Sequence, residues 1–177
     1  MILYNAPERA NFELGPSVFL AGTIEMGNSR NWQKDLIEKL KEFECVIYNP
    51  RRDDWNNAWQ KTDIEVRQIE WEVYHILQAD IVAFNFLPGT FSPISLFELG
   101  LMAKERRKQI IVHCPDNFYR ASNVDVYSKL FNFTRVNSEE ELFTAITLAL
   151  MCTKNNKDEF KSEVFPRNPA SRSKPIN

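Results

Sequence analysis

Four short runs dominated by apolar residues, separated by stretches with helical periodicity, constrain the fold of this chain more than any other sequence feature. The runs occupy residues 18–21, 45–48, 81–86 and 109–114. A short run of this kind is typical of a strand buried on both faces of a parallel sheet. A weaker fifth strand is predicted at residues 133–136. The alternation therefore predicts an α/β fold: a single doubly wound, flavodoxin- or Rossmann-like domain with a five-stranded, mainly parallel sheet.

The periodicity divides the chain into three parts. Residues 1–16 show no sustained period and are predicted to form an N-terminal arm or an edge element, whereas residues 17–153 hold the α/β domain. From residue 154 the sequence is polar and aperiodic, with several prolines after Phe165. A segment of that composition buries little apolar surface, so residues 154–177 are predicted to be an extended or disordered tail.

The composition excludes several classes of function. The net charge is -2 and the apolar fraction is 44%, which does not fit a nucleic-acid binder with a basic face. No run is long enough to span a membrane, no signal peptide is recognisable, and the three cysteines form no metal-type pair. Dinucleotide, P-loop and His-rich zinc motifs are missing as well. We therefore expect a cytoplasmic protein with no cofactor and no metal.

Residues 92–100, SPISLFELG, carry the most informative acid of the chain. Ser92 is a suitable N-cap and Pro93 suits the first helical position, so a helix is predicted to begin here. At helical spacing Glu98 falls inside an apolar stripe, formed by Ile94, Phe97 and Leu101. The helix is therefore predicted to be buried all round. A carboxylate in such a place needs a partner or a chemical role.

A second acid, Glu72, lies in a predicted helix that ends near residue 79. Glu72 is on the margin of its predicted buried face, which is marked by Ile69, Val73, Ile76 and Leu77. Ligands bind doubly wound sheets at the carboxyl ends of the strands, where the starts of both helices can meet. Two carboxylates in one cleft suit glycosyl transfer, with one as nucleophile and the other moving protons. From periodicity alone, a surface ion pair with Lys or Arg remains the simpler explanation of Glu72.

Three motifs, in this order and spacing, carry a family resemblance. They are AGTIEMG at residues 21–27, Glu72 eight residues before Asp80, and the FELG sequence that contains Glu98. Together they resemble the nucleoside 2-deoxyribosyltransferases and the related 2'-deoxynucleoside 5'-phosphate N-hydrolases, over residues 18–126. The NPRRDDW and SPISLFELG segments are especially similar to the nucleoside 2-deoxyribosyltransferase-like proteins common in bacteria and phages.

The resemblance implies a covalent mechanism. Glu98 matches the nucleophile that attacks C1' of a deoxynucleoside and releases the base, and Glu72 matches an acid, usually Asp, that assists proton transfer. Attack by a second base completes a transferase reaction; attack by water makes the protein an N-glycoside hydrolase of a deoxynucleoside or its 5'-monophosphate. A non-catalytic nucleoside- or nucleotide-binding module is a further alternative. The resemblance also implies a homo-oligomer whose partners are small nucleosides or nucleotides and free nucleobases, with no nucleic acid polymer and no membrane.

The candidate substrate-binding residues lie on or beside the loops that follow the predicted strands. They are Gly22, Thr23, Asn49, Arg51, Trp55, Asn85, Ser92, Ser95 and Asn123. For Ser92, which matches a serine near the 5' end of the substrate in the hydrolases, a plain N-cap is the alternative. For Arg51 the alternative is a solvated side chain or a salt bridge to a nearby aspartate.

Two positions depart from the family pattern. Phe19 stands where relatives have a tyrosine near the nucleophile, so a hydroxyl that would position the carboxylate is missing. Glu25 stands where the monophosphate hydrolases have an arginine, and a carboxylate there would repel a 5'-phosphate. The second departure favours a nucleoside over a nucleotide as substrate, unless Arg51 or Arg52 supplies the positive charge.

Overall fold

The computed structural model describes residues 1–10, 15–105 and 107–164. Its centre is one six-stranded sheet in which all neighbouring strands are parallel, in the order β1-β3-β2-β4-β5-β6. The strands are β1 Ile2–Asn5, β2 Ser17–Gly22, β3 Val46–Asn49, β4 Ile81–Asn85, β5 Gln109–His113 and β6 Thr134–Val136. The predicted α/β fold with a parallel sheet is therefore confirmed.

Five α-helices cover the two faces of the sheet. They are α1 Trp32–Leu40, α2 Asp63–Gln78, α3 Pro93–Met102, α4 Ala121–Phe131 and α5 Glu139–Val164. Helices α1 and α5 pack on one face through Trp32, Leu36, Leu142 and Ile146. Helices α2, α3 and α4 pack on the other face through Trp71, Ile76, Leu99 and Val124. The chain changes direction between β2 and β4, where such sheets bind their ligands.

The sheet has six strands, not the predicted five. The additional strand is β1, which pairs parallel to β3 from Ile2 opposite Val46 to Asn5 opposite Asn49. Residues 2–5 read Ile-Leu-Tyr-Asn and show no alternation of apolar and polar side chains, so the sequence gives no strand period there. These residues form a strand because the edge of β3 offers unpaired backbone groups, which is a tertiary effect.

The prediction of an extended tail from residue 154 is wrong for its first part, because α5 continues to Val164. Lys154 forms an ion pair with Glu44. Lys157 donates to Asp80 Oδ2 at 2.7 Å and to the Gly15 carbonyl oxygen at 3.0 Å. These contacts fasten the polar end of the helix to the domain. Residues 165–177 lie outside the described residues.

The apolar stripes of α2 and α3 face away from the sheet, contrary to the prediction. Their exposed residues, which we call the outer apolar face, are Ile69, Val73, Leu77, Ile94, Phe97 and Leu101. Phe97 is 66% exposed and Ile94 65% exposed. Periodicity identifies an apolar side of a helix but not what covers it, and within one chain nothing described covers this side. The described residues include no helix that is both long enough and apolar enough to cross a bilayer.

Candidate active site

Glu98 and Glu72 lie on neighbouring helices of the same layer. Glu98 is in the second turn of α3 and Glu72 is in the middle of α2, and both side chains are partly buried. The pKa of Glu98 is raised to about 8. Burial is the larger cause, and the negative charge of Glu72 is the smaller one. The structure therefore brings together the two acids that the sequence singles out.

Glu72 is in a comparable environment. Burial raises its pKa to about 7, while a hydrogen bond from Gln68 lowers it. Two carboxylates that repel each other across a poorly solvated space lose their protons in succession, as a pair. Near neutral pH such a pair can be singly protonated, with one carboxyl group neutral and the other ionised. Catalysis that combines a nucleophile with a general acid requires this state.

The N-terminus of α3 is capped by Glu25 and not, as predicted, by Ser92. Ser92 occupies the N-cap position with a left-handed φ of 43°, but its side chain makes no capping hydrogen bond. Glu25 Oε1 instead accepts the backbone N–H of Ser92 at 3.1 Å and that of Phe91 at 3.3 Å. A carboxylate is thus held where the dipole and free N–H groups of a helix attract an anion.

Hydroxyl groups connect the end of β2 with the loop before α3. Thr23 Oγ1 is 2.8 Å from Ser92 Oγ and accepts the Leu87 backbone N–H at 3.0 Å. Ser95 Oγ donates to the Gly22 carbonyl oxygen at 2.7 Å. Four of the candidate substrate-binding residues, Gly22, Thr23, Ser92 and Ser95, thus join the end of β2 to the helix that carries Glu98.

Gly22 must be a glycine for two reasons. Its φ is +125°, which side chains rarely adopt, and a Cβ built there would lie 2.3 Å from the Asn85 carbonyl oxygen. Strands β2 and β4 therefore come into direct backbone contact at the switch point of the sheet.

Asn85 faces away from the two acids. Its Nδ2 donates to Glu139 Oε1 at 3.0 Å, and its Oδ1 lies 2.6 Å from Nδ1 of His113. These partners stand beside α1 and α5, on the opposite side of the sheet from Glu98. Side chains alternate along a strand, so a shift of one residue decides which face a polar group reaches. The structure therefore does not group Asn85 with the carboxylate cleft.

Asn49 and Arg51 are engaged in contacts that hold the chain together. Asn49 Nδ2 donates to Asn5 Oδ1 at 2.8 Å, which ties β3 to the edge strand. The Arg51 guanidinium donates to the carbonyl oxygens of Gly27 and Ser29, each at 2.8 Å. Arg51 therefore braces the first loop, and the salt bridge considered for it does not form among the described residues.

The neighbouring loop is closed by aromatic and ionic contacts. Arg52 pairs with Asp54 at 2.8 Å and its guanidinium lies 4.3 Å from the ring centre of Trp59. The Trp55 ring contacts Trp59 at 5.9 Å, and Trp55 Nε1 is buried without a hydrogen-bond partner among the described residues. Asp54 neutralises Arg52, whereas Arg51 directs its guanidinium to backbone carbonyl oxygens of the first loop.

Asn123 lies in a different groove. It is exposed on α4, where it lines a shallow cavity of about 230 Å³ between α3 and α4 with Leu96, Leu99 and Tyr127. No hydrogen bond joins it to either acid within the described part of the chain. A role for Asn123 at the cleft of its own subunit is therefore not supported by the geometry.

Comparison with known proteins identifies the family. A family model described as nucleoside 2-deoxyribosyltransferase like matches residues 15–118, more than half of the 177 residues. The chain belongs to this nucleoside 2-deoxyribosyltransferase-like family. The match contains both Glu72 and Glu98, so the acids that the geometry pairs lie inside the region that defines the family.

A solved structure shares the fold of this family member. It is described as a conserved protein from Enterococcus faecalis V583 and superposes with a TM-score of 0.57 at 13% sequence identity. The similarity covers 76% of this chain and 98% of that one. At this level of identity the likeness establishes the α/β architecture only. No curated protein matches the chain.

Phe19 departs from the pattern that the resemblance implies, and the structure gives its surroundings. It is fully buried, and its ring lies 6.2 Å from that of Trp71, the residue that precedes Glu72. A phenylalanine supplies packing here but no hydroxyl. Among the described residues, the carboxylate of Glu72 instead accepts a hydrogen bond from Gln68.

Sequence reasoning missed three contacts around the site: the cap by Glu25, the hydrogen bond from Gln68 to Glu72, and the pairing of Asn85 with His113. Only the Gln68 contact had a sequence signal, because Gln68 and Glu72 are four residues apart and face the same side of a helix. The other contacts join residues that are distant in the chain.

Proposed function

We propose that this protein transfers 2-deoxyribosyl groups between nucleobases through a covalent intermediate on Glu98. The observation that carries the proposal is the pairing of two partly buried carboxylates with raised pKa values, about 7 for Glu72 and about 8 for Glu98. Their position behind the loop that follows β4, at the carboxyl edge of a doubly wound sheet, supports the same reading. Membership of the nucleoside 2-deoxyribosyltransferase-like family agrees with it.

The reaction requires one proton on the pair, with Glu98 ionised and Glu72 protonated. Because the pKa of Glu98, about 8, is higher than that of Glu72, about 7, this is the less populated of the two singly protonated forms. The Glu98 carboxylate attacks C1', so that a C1'–O bond forms while the C1'–N bond to the base breaks. The base takes the bonding electron pair and receives a proton from Glu72. A ring nitrogen of a second base then attacks C1', its proton passes to Glu72, and Glu98 leaves as a carboxylate. Glu72 begins and ends each cycle protonated.

Incubation with a deoxynucleoside and a different free base tests the proposal. We expect an exchanged nucleoside by chromatography and a deoxyribosyl adduct on Glu98 by mass spectrometry of the intact and digested protein. Base release with free deoxyribose, and no exchanged nucleoside, would assign the hydrolase reaction instead. Tight binding of the nucleoside by calorimetry without an adduct would assign a binding module. Neither exchange nor release above a Glu98→Ala control rules out both enzyme reactions.

We propose a nucleoside rather than its 5'-monophosphate as substrate, because Glu25 holds the N-terminus of α3. Replacement of Glu25 by Gln keeps the acceptor atom and removes the charge. We expect kcat/KM for a deoxynucleoside 5'-monophosphate, relative to the deoxynucleoside, to increase about tenfold, the effect of about 1.4 kcal/mol of relieved repulsion. Glu42→Gln makes the same charge change at an exposed position after the end of α1 and should leave the ratio unchanged. A constant ratio in Glu25→Gln contradicts this role.

We propose further that the outer apolar face mediates assembly with a second copy of the chain. Exposed apolar surface of this extent on adjoining helices is typical of protein interfaces. We expect the wild type to be dimeric or larger, and Leu77→Glu, which buries a charge in that interface, to be monomeric by light scattering. Met151→Glu places the same charge at an exposed position on α5, on the opposite layer, and should not change the mass. A monomeric wild type refutes the proposal.

A further inference from the structure

Gln68 connects the carboxyl end of β3 to Glu72. Its Nε2 donates to the Pro50 carbonyl oxygen at 2.9 Å and to Glu72 Oε1 at 2.8 Å. Both partner atoms accept hydrogen bonds, so the amide nitrogen must face them and the orientation of the amide group is unambiguous. The backbone therefore holds Gln68 while its second N–H is directed at Glu72.

The oxygen of the same amide group has no partner. Gln68 is only 3% exposed, and its Oε1 is buried without a hydrogen-bond partner among the described residues. An unpaired buried acceptor is unfavourable, and a methionine of similar size would avoid it. Packing alone therefore does not explain a glutamine at this position. The two hydrogen bonds that its amide nitrogen donates, to Pro50 and to Glu72, do.

We propose that Gln68 is a positioning residue, which fixes the rotamer of Glu72 and stabilises the ionised form of its carboxylate. Through Glu72 it controls the proton that the two acids share. The role in the reaction rests on the proposed function, whereas the effect on Glu72 does not.

The charged and titratable groups described around Glu72 do not donate a hydrogen bond to it, so its donor is Gln68. Glu98, on α3, faces it with a charge of the same sign. Arg51, on the loop after β3, directs its guanidinium to backbone carbonyl oxygens of the first loop. His75, one turn later on α2, engages the backbone of its own helix through Nδ1. Among the described residues, only Gln68 opposes the effect of burial on the carboxylate of Glu72.

Loss of the Gln68 amide donor should raise the pKa of Glu72. Without the N–H group, burial acts unopposed and the neutral form becomes more favourable. A general acid works best with a pKa near the working pH, so a higher pKa makes Glu72 a weaker acid and slows the transfer of its proton to the leaving base. The side chain of Glu72 would also no longer be held in one rotamer, so its carboxyl group would move away from the leaving base.

Carbon-13 NMR of the glutamate carboxyl groups tests the effect on Glu72 directly. We expect the titration midpoint of Glu72, assigned with Glu72→Gln, to rise by about one pH unit in Gln68→Met. Gln78→Met, at an exposed position of the same helix, should leave it in place. If the methionine variant does not fold, Gln68→Asn, which cannot span both partners, should raise the midpoint as well. An unchanged midpoint overturns the proposal.

Steady-state kinetics separate a positioning role from a general structural one. We expect kcat for base exchange to fall about tenfold in Gln68→Met, with KM for the deoxynucleoside changed less than about threefold. A large rise in KM with kcat unchanged would contradict positioning of the acid. A wild type without exchange or release refutes the proposed function, whereas the carboxyl titration still decides the effect of Gln68 on Glu72.

Discussion

Replacement of Glu98 by Gln is expected to abolish the covalent adduct and to lower kcat for base exchange by about 10⁴-fold or more. An amide has almost the shape of the carboxylate but cannot form a stable ester with C1', so the loss reports the nucleophile and not the cleft. The measurement is intact-protein mass spectrometry and single-turnover base release. Exchange at more than a few per cent of the wild-type rate, measured beside Glu42→Gln, would assign the nucleophile to another group.

The same variant has a stability signature with a defined sign. The fold raises the pKa of Glu98 from an ordinary value of 4.5 to about 8, so it favours the protonated side chain. The folded state then binds more protons than the unfolded state between these two values, and wild-type stability falls as the pH rises from about 4.5 to about 8.

Glu98→Gln lacks this titration. Its free energy of unfolding relative to the wild type should therefore increase across the same pH range and stay constant above it. Since the side chain is partly exposed, we expect a gain of ~2 kcal/mol at pH 8.5 rather than the full value of the shift. Urea unfolding at pH 5 and at pH 8.5 measures it. A difference between the two proteins that does not change with pH would show that burial does not act on this carboxyl group.

Replacement of Glu72 by Gln is the second large effect. We expect kcat for a natural deoxynucleoside to fall about 10²- to 10³-fold, because the leaving base no longer receives a proton. A p-nitrophenyl 2-deoxyriboside has a leaving group that needs no proton, so its cleavage should fall less than about tenfold. Equal losses with both substrates would contradict a role as acid.

Glu72→Gln should also change the pH dependence of adduct formation. In the wild type, adduct formation should rise with pH as Glu98 becomes ionised, reach a maximum between about pH 7 and about pH 8, and fall as Glu72 loses the proton that the leaving base needs. Without the charge of Glu72 that raises the pKa of Glu98, the rise should occur at lower pH in the variant. Glu70→Gln, at an exposed position of the same helix, is the matched control and should leave both the rate and the pH profile unchanged.

Much of this fold could be predicted because strands and helices follow local patterns. The apolar runs match β2 to β5 to within one residue at each end, and Pro93 begins α3 as its fixed φ favours. Strand β1 could not be predicted, because its formation depends on the free edge of β3. The continuation of helix α5 past residue 154 depends in the same way on tertiary contacts, such as that of Lys157 with Asp80.

The candidate site was predictable only in part. Glu98 stands out because an acid among apolar residues is unusual, and its spacing to Glu72 can be read in the chain. The direction of Asn85 could not be predicted, since a polar residue at the end of a strand reaches one face or the other according to a register that pairing decides. Glu25 was expected to repel a phosphate, but its role as the cap of α3 depends on a loop conformation with positive φ.

By itself, the sequence determined the alternation of strands and helices, the parallel sheet, and the two acids on helices that adjoin its carboxyl edge. Those features depend on which residues are apolar and at what spacing, which is local information. Only the tertiary structure decided that Glu25 caps α3, that Gln68 supports Glu72, and that the apolar stripes of α2 and α3 face outwards. Each of these depends on which surfaces meet after the chain has folded, and the free energy of burial and of hydrogen bonds between distant residues settles that.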